Sequence, residues 1–93
     1  MKVGILTVEL FLGEVGSLKE KRKHIKSLVT RLRNRYNVSV AEVNRQDSWQ
    51  RATLGMAAVS NQTAHVDRTM AAIVDFIAAQ ACLEIIHYQT EVI

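Results

Sequence analysis

The chain has 93 residues, of which 48% are hydrophobic and 23% are charged. This length fits one small domain, and this composition excludes disordered and collagen-like chains. A lone cysteine, Cys82, excludes an internal disulfide and lacks the paired spacing of a cysteine-based zinc site. We therefore expect a single domain, residues 1–93, in a reducing cytoplasm.

The net charge of +3 is distributed unevenly along the chain. The segment from Ser17 to Tyr36 has eight Lys or Arg residues against one acid, Glu20, which gives it a net charge of +7. The rest of the chain has four basic residues against eight acids, a net charge of −4. This asymmetry predicts an acidic partner, with nucleic acid as the first choice.

Two apolar segments resemble targeting or membrane segments only superficially. Glu9 interrupts the run "MKVGILTVELFL", and no suitable cleavage site follows it. The run "MAAIVDFIAAQACLEII" contains three polar or charged residues and is shorter than the roughly 20 residues that a membrane span needs. We therefore expect neither secretion nor membrane insertion.

In chain order, residues 2–12 are rich in β-forming residues and predict a largely buried strand. The loop "GEVGS" follows, and Ser17 with Glu20 three residues later matches a capping box that begins a helix. The helix extends to Tyr36, with Asn37 as a left-handed C-cap. Its apolar stripe consists of Leu18, Ile25, Val29, Leu32 and Tyr36.

The second half of the chain predicts a hairpin, a helix and a final strand. "VSVAEV", residues 38–43, and "ATLGMAAVS", residues 52–60, read as strands that flank the loop "NRQDSWQR". Residues 64–81 have helical spacing, with Thr63 as N-cap, and "CLEIIHYQTEVI", residues 82–93, closes with a strand.

This order of elements predicts an α+β fold of the ferredoxin-like type. Such a βαββαβ sandwich has a four-stranded antiparallel sheet with two helices on one face. The same fold supports enzymes, RNA binders and oligomeric sensors, so it does not decide function.

A helical wheel places one set of cations on a single flank of the first helix. The set consists of Lys19, Arg22, Lys23, Lys26 and Arg33. It extends about 21 Å at 1.5 Å per residue, long enough to follow several phosphates of RNA. The alternative is an ordinary solvated face. Two features favour a bound anion: intrahelical carboxylates are nearly absent, and cations in the first turn oppose the helix dipole.

The loop "QDSWQR" provides a second candidate site. Trp49 beside Gln50 and Arg51 has the residue types that stack on a base or anchor a partner chain. Alternatively, Trp49 covers the end of the core and Asp47 caps a turn. Gly16 and Ser17 are also candidates, although weaker ones. A loop that opens a helix can bind an anion through its N–H groups.

The sequence indicates no catalytic residues, no cofactor motif and no metal site. Its three histidines, His24, His65 and His87, lie on different predicted elements without the spacing of metal ligands. Cys82 has the character of a small apolar residue rather than a nucleophile.

The stretch "SLKEKRKHIKSLVTRLRNRYNVSVAEV", followed by "DSWQRATLGMAAVSN", resembles the YlxP-like family of small bacterial proteins of unknown function. The resemblance implies a ferredoxin-like domain and supplies no catalytic residues. Because many members are encoded beside translation and ribosome-maturation factors, it also implies a ribosomal context. Asn44 departs from the glycine expected after "AEV", although both residues tolerate a left-handed backbone.

Three functional hypotheses follow from the sequence. The first is a non-enzymatic domain that contacts RNA or a ribosomal particle through the basic flank. The second is a homodimer or other homo-oligomer whose sheet packs on its mate through the face without helices, where small residues of "ATLGMAAVS" allow close approach. The third is an acylphosphatase-like enzyme that acts at "GEVGS", a loop without the arginine that would hold a phosphate.

Overall fold

Four strands and two helices form the fold in the computed structural model, which describes residues 1–93. Their order is the predicted one, strand, helix, strand, strand, helix, strand. The elements are β1 (Lys2–Phe11), α1 (Leu18–Arg35), β2 (Ser39–Asn44), β3 (Arg51–Ser60), α2 (Thr63–Ala78) and β4 (Glu84–Val92).

The strands form one sheet in the order β2-β3-β1-β4, and every neighbouring pair is antiparallel. The predicted βαββαβ arrangement is therefore confirmed. Since β1 and β2 run in the same direction on either side of β3, the β1–α1 loop and the β2–β3 loop meet at one end of the molecule. The N–H of Leu12 donates to the carbonyl of Gln50 across this end at 2.8 Å.

Burial alternates along the strands and separates two faces of the sheet. In β1 the even-numbered residues Leu6, Val8 and Leu10 are fully buried, whereas the odd-numbered residues are partly exposed. Both helices cover the even-numbered face, and a single core of 17 residues forms there. The helices contribute Ile25, Leu28, Leu32, Val66, Met70, Ile73 and Ile77 to this core. The opposite face of the sheet has no covering element.

The start of α1 is confirmed, and its predicted end is wrong. The hydroxyl of Ser17 accepts a hydrogen bond from the N–H of Glu20 at 3.1 Å, as a capping box requires. The helix ends at Arg35, and Tyr36 rather than Asn37 is the C-cap, in an extended conformation. The reason is tertiary: the Tyr36 ring packs edge-on against Phe76, and its hydroxyl donates to the carbonyl of Ala72.

The bounds of α2 also differ from the prediction. The helix begins at Thr63, so that Gln62 occupies the N-cap position and gives no side-chain hydrogen bond. It ends at Ala78, and the chain then tightens, since the N–H of Gln80 donates to the carbonyl of Ile77 three residues earlier. The final strand consequently begins at Glu84 instead of residue 82.

The turn that follows β2 places a left-handed residue at Arg45, with φ of 62°. Asn44, where glycine was expected, remains in β2 opposite Thr53. Its side-chain oxygen accepts the N–H of Arg45 at 2.8 Å and stabilises the turn.

Neither helix has the length and hydrophobicity needed to cross a membrane.

Gly4 lies directly beneath side chains of α2, and it supplies a test of this packing. A Cβ atom at Gly4 would lie 2.2 Å from Cγ1 of Val66. We expect Gly4→Ala to lower the free energy of unfolding by about 1 to 3 kcal/mol, because it overpacks the helix–sheet interface. Urea denaturation measures this change.

Gly16→Ala is the matched control, since its Cβ would meet only Oε2 of Glu20 at 3.7 Å. We expect a stability change within about 0.5 kcal/mol for this surface substitution. Equal losses in the two variants would contradict the close approach of α2 to β1.

Candidate nucleic-acid interface

One flank of α1 is used in packing against α2. The guanidinium of Arg31 donates to the side-chain oxygen of Gln80 and lies 5.9 Å from the Phe76 ring centroid. The guanidinium of Arg35 lies 5.2 Å from the same centroid. His24 is nearby, with its Nδ1 atom 3.8 Å from the thiol sulfur of Cys82. The cations on this flank therefore stabilise contacts within the protein.

The opposite flank carries four exposed cations that line a shallow groove with Ser17 and Glu20. We call this set the basic stripe: Lys19, Arg22, Lys23 and Lys26. The two ion pairs in the structure are Lys21–Glu42 and Arg45–Glu9, and neither includes a residue of the stripe. These cations thus have no carboxylate partner in the protein and are open to an external anion.

Arg33, the fifth residue of the predicted set, has a different environment. Its Nη2 atom donates to the carbonyl oxygen of Val40 at 2.7 Å. Because β2 is an edge strand, this contact ties the guanidinium to the edge of the sheet. The structure therefore brings four of the five predicted cations together as free groups and fixes the fifth.

The carboxylate of Glu20, the one acid of the segment, is already engaged. It accepts the N–H of Gly16 at 3.1 Å, while the hydroxyl of Ser17 accepts the N–H of Glu20. The two weaker anion-binding candidates, Gly16 and Ser17, are thus both hydrogen-bonded to Glu20; its carboxylate reaches the N–H one residue before the N-cap rather than that of Ser17, as a complete capping box would have it. An anion at the Gly16 amide would have to displace the Glu20 carboxylate.

Lys21, in the same run of cations, is completely buried. Its ammonium lies 2.7 Å from a carboxylate oxygen of Glu42 and 2.8 Å from the carbonyl oxygen of Arg45. Sequence reasoning missed this role, although a signal existed: Lys21 precedes the core residue Ile25 by four positions and so lies on the same side of the helix.

The β2–β3 loop is held at the same end of the molecule as the first turn of α1. The carbonyl of Arg45 accepts the N–H of Ser48 at 3.0 Å as well as the Lys21 ammonium. The guanidinium of Arg45 also pairs with Glu9 at 3.1 Å, and Glu9 accepts the hydroxyl of Thr53. These contacts give the loop a defined shape.

The loop leaves the Trp49 side chain 47% exposed. Ser48, rather than Asp47, caps the turn, since its hydroxyl accepts the N–H of Arg51 at 3.1 Å. Arg51 is half-buried, and its Nε atom is buried without a hydrogen-bond partner. The loop therefore presents an aromatic ring to solvent at the end of the molecule where α1 begins.

Comparisons with known proteins agree on a single family. Residues 3–90 match the family described as "Protein of unknown function (DUF503)". The chain is also similar to the "Uncharacterized protein YlxP" of Bacillus subtilis (strain 168), with 39% identity over 75 residues. The matched region covers 81% of this chain and 82% of that relative.

The different roles of Lys21 and the basic stripe predict different effects of their substitution on the free energy of unfolding. We expect Lys21→Ala to lower the free energy of unfolding by roughly 3 kcal/mol, because it leaves the Glu42 carboxylate without its cation. We expect Lys19→Ala to change it by less than about 0.5 kcal/mol, since Lys19 is exposed and unpaired. Urea denaturation of both variants provides the comparison.

The double variant Lys21→Met/Glu42→Leu tests whether the loss comes from an uncompensated charge. Replacing both charged groups by apolar ones should recover most of the stability. Similar stabilities for Lys21→Ala and Lys19→Ala would contradict the structural role of Lys21.

Proposed function

The chain belongs to the DUF503 family, whose YlxP-like members have no known function, and we propose that it is a non-enzymatic cytoplasmic domain that binds RNA within a ribosomal particle. The basic stripe is the main support for this proposal. Four exposed cations lie within three turns of one helix flank, and none has a carboxylate partner. Like charges at this spacing repel one another, so the arrangement is favourable when an anion neutralises them.

The position of the stripe suits a phosphate backbone. Lys19 and Lys26 are seven residues apart, about 10 Å along the helix axis. The positive end of the α1 dipole adds to their field, which strengthens attraction for phosphate at this end of the molecule. Contacts of this kind provide affinity without reading sequence.

The β2–β3 loop adds a contact of a different kind. The half-exposed ring of Trp49 offers a flat surface on which an unpaired base can stack. Arg51 lies two residues further along the chain and is half-buried, and its buried Nε atom is out of reach of a ligand. Stacking requires exposed bases, so single-stranded RNA is the ligand that would contact both the basic stripe and the loop.

We expect the affinity for a fluorescein-labelled single-stranded fragment of ribosomal RNA to depend strongly on salt. If each of the four cations neutralises one phosphate, the logarithm of the association constant falls against the logarithm of salt concentration with a slope of about −2.8. Fluorescence anisotropy between roughly 50 and 200 mM salt measures this slope.

Three variants test whether the cations of the basic stripe determine this slope. Lys23→Gln should make the slope less steep by about 0.7, whereas Lys2→Gln, at the start of β1, should leave it unchanged. Trp49→Ala should weaken binding while the slope stays the same, because stacking releases no counterions. Absence of binding at low salt, or equal slopes for Lys23→Gln and Lys2→Gln, would contradict the proposal.

The uncovered face of the sheet favours a second candidate function, self-association into a homodimer. Val43 and Val59 lie on this face with 54% and 56% of their surface exposed. Val43 packs over Gly55, whose small size keeps the middle of the face flat. Two such faces can bury apolar side chains against each other.

Light scattering provides the test of this second candidate. We expect a dimer mass at micromolar concentration for the unmodified chain and a monomer mass for Val59→Lys, which places a charge in the apposed faces. Glu14→Lys in the β1–α1 loop is the control and should not change the mass. A monomer mass for the unmodified chain would refute a dimer in this concentration range.

A further inference from the structure

The two edges of the sheet differ in how their backbone groups are used. At β2, the carbonyl oxygens of Val40 and Glu42, two residues apart, accept hydrogen bonds from the side chains of Arg33 and Gln46. At the other edge, β4 is nine residues long, and no side chain hydrogen-bonds to its backbone. Free edge groups of this kind are a template for another strand.

The outward groups of β4 can be assigned from its pairing with β1. Val3 and Ile93 exchange both backbone hydrogen bonds at 2.9 Å, so this pair is of the hydrogen-bonded type. Pair types alternate along an antiparallel ladder. The N–H and C=O groups of Tyr88, Thr90 and Val92 therefore point away from β1 toward solvent.

The side chains of the same three residues line a groove between β4 and α2, with a volume of about 290 Å³. Met70 and Val74 form its apolar floor, and Asp67 and Asp75 lie on its α2 side. Neither aspartate takes part in an ion pair in the protein. Backbone donors and acceptors, an apolar floor and two carboxylates thus occur together.

The two unpaired aspartates favour a basic partner. Asp67 and Asp75 are eight residues apart on α2, which is about 12 Å along the helix axis. Two residues four apart on an extended strand point to the same side at about 13 Å. Lysine side chains at this spacing can lay their stems on Met70 and Val74 and place their ammonium groups at the two aspartates.

We propose that the groove between α2 and β4 docks an extended, basic segment of a partner protein, which pairs with Tyr88, Thr90 and Val92 as a fifth strand. Backbone hydrogen bonds to the edge supply affinity, and the lysines or arginines at alternate positions supply selectivity. This site is separate from the basic stripe, which lies beside the opposite edge of the sheet.

The probe is a fluorescein-labelled eight-residue peptide that alternates lysine and valine. We expect anisotropy to show binding of this peptide and at least tenfold weaker binding of a matched peptide that alternates glutamate and valine. The variant Asp67→Asn/Asp75→Asn should also bind the lysine peptide at least tenfold more weakly. The control Asp47→Asn, in the β2–β3 loop, should bind it as the unmodified protein does.

Thr90→Pro tests the strand pairing, because it removes an N–H that points to solvent and leaves the ladder to β1 intact. It should abolish peptide binding without lowering the thermal midpoint. If the variant is unstable, N-methylation of alternate peptide residues gives the same test: one of the two methylation registers should block binding, and the other should retain it.

Three results would overturn the proposal. They are equal binding of the lysine and glutamate peptides, retention of binding in Thr90→Pro, and tolerance of both N-methylation registers. Analytical ultracentrifugation identifies a different occupant: self-association of the unmodified chain that disappears in Thr90→Pro would assign the edge to a second copy instead.

Discussion

The buried ammonium of Lys21 joins three parts of the chain that the backbone alone would leave separate. It connects α1 to Glu42 on the edge strand β2 and to the carbonyl of Arg45 in the following loop. A buried charged group is tolerated only where hydrogen-bond and ion-pair partners lie close to it. The three parts must therefore keep their relative positions. The basic stripe and the ring of Trp49 are consequently presented by the same end of the molecule.

The two flanks of α1 show that identical residue types serve different purposes according to what lies beside them. Arg31 and Arg35 face α2, where their guanidinium groups lie near the ring of Phe76. The basic stripe faces outward beside β2 and forms no ion pair within the protein. The excess charge of this segment is therefore divided between internal packing and an open surface, and only the open part is available to a ligand.

The periodicity of the sequence predicted the order and type of all six elements, because alternating burial in strands and the helical stripe are local patterns. Features that depend on contacts between different elements could not be predicted from these local patterns. Asn37 was wrong as a C-cap because Tyr36 is drawn toward α2, and the tie between Arg33 and Val40 requires the crossover that places α1 beside β2. Lys21 was overlooked because lysine is usually exposed, even though its position relative to Ile25 indicated burial.

The occupied carbonyls of Val40 and Glu42 have a further consequence for how the sheet can grow. A sheet with two free edges can add copies without limit and form a fibre, whereas a sheet with one blocked edge has a single direction of extension. Two molecules that met through β4 would leave only their β2 edges outermost, and these carry the side chains of Arg33 and Gln46. Growth by edge pairing would end at that pair, so the fold carries a built-in limit against polymerisation.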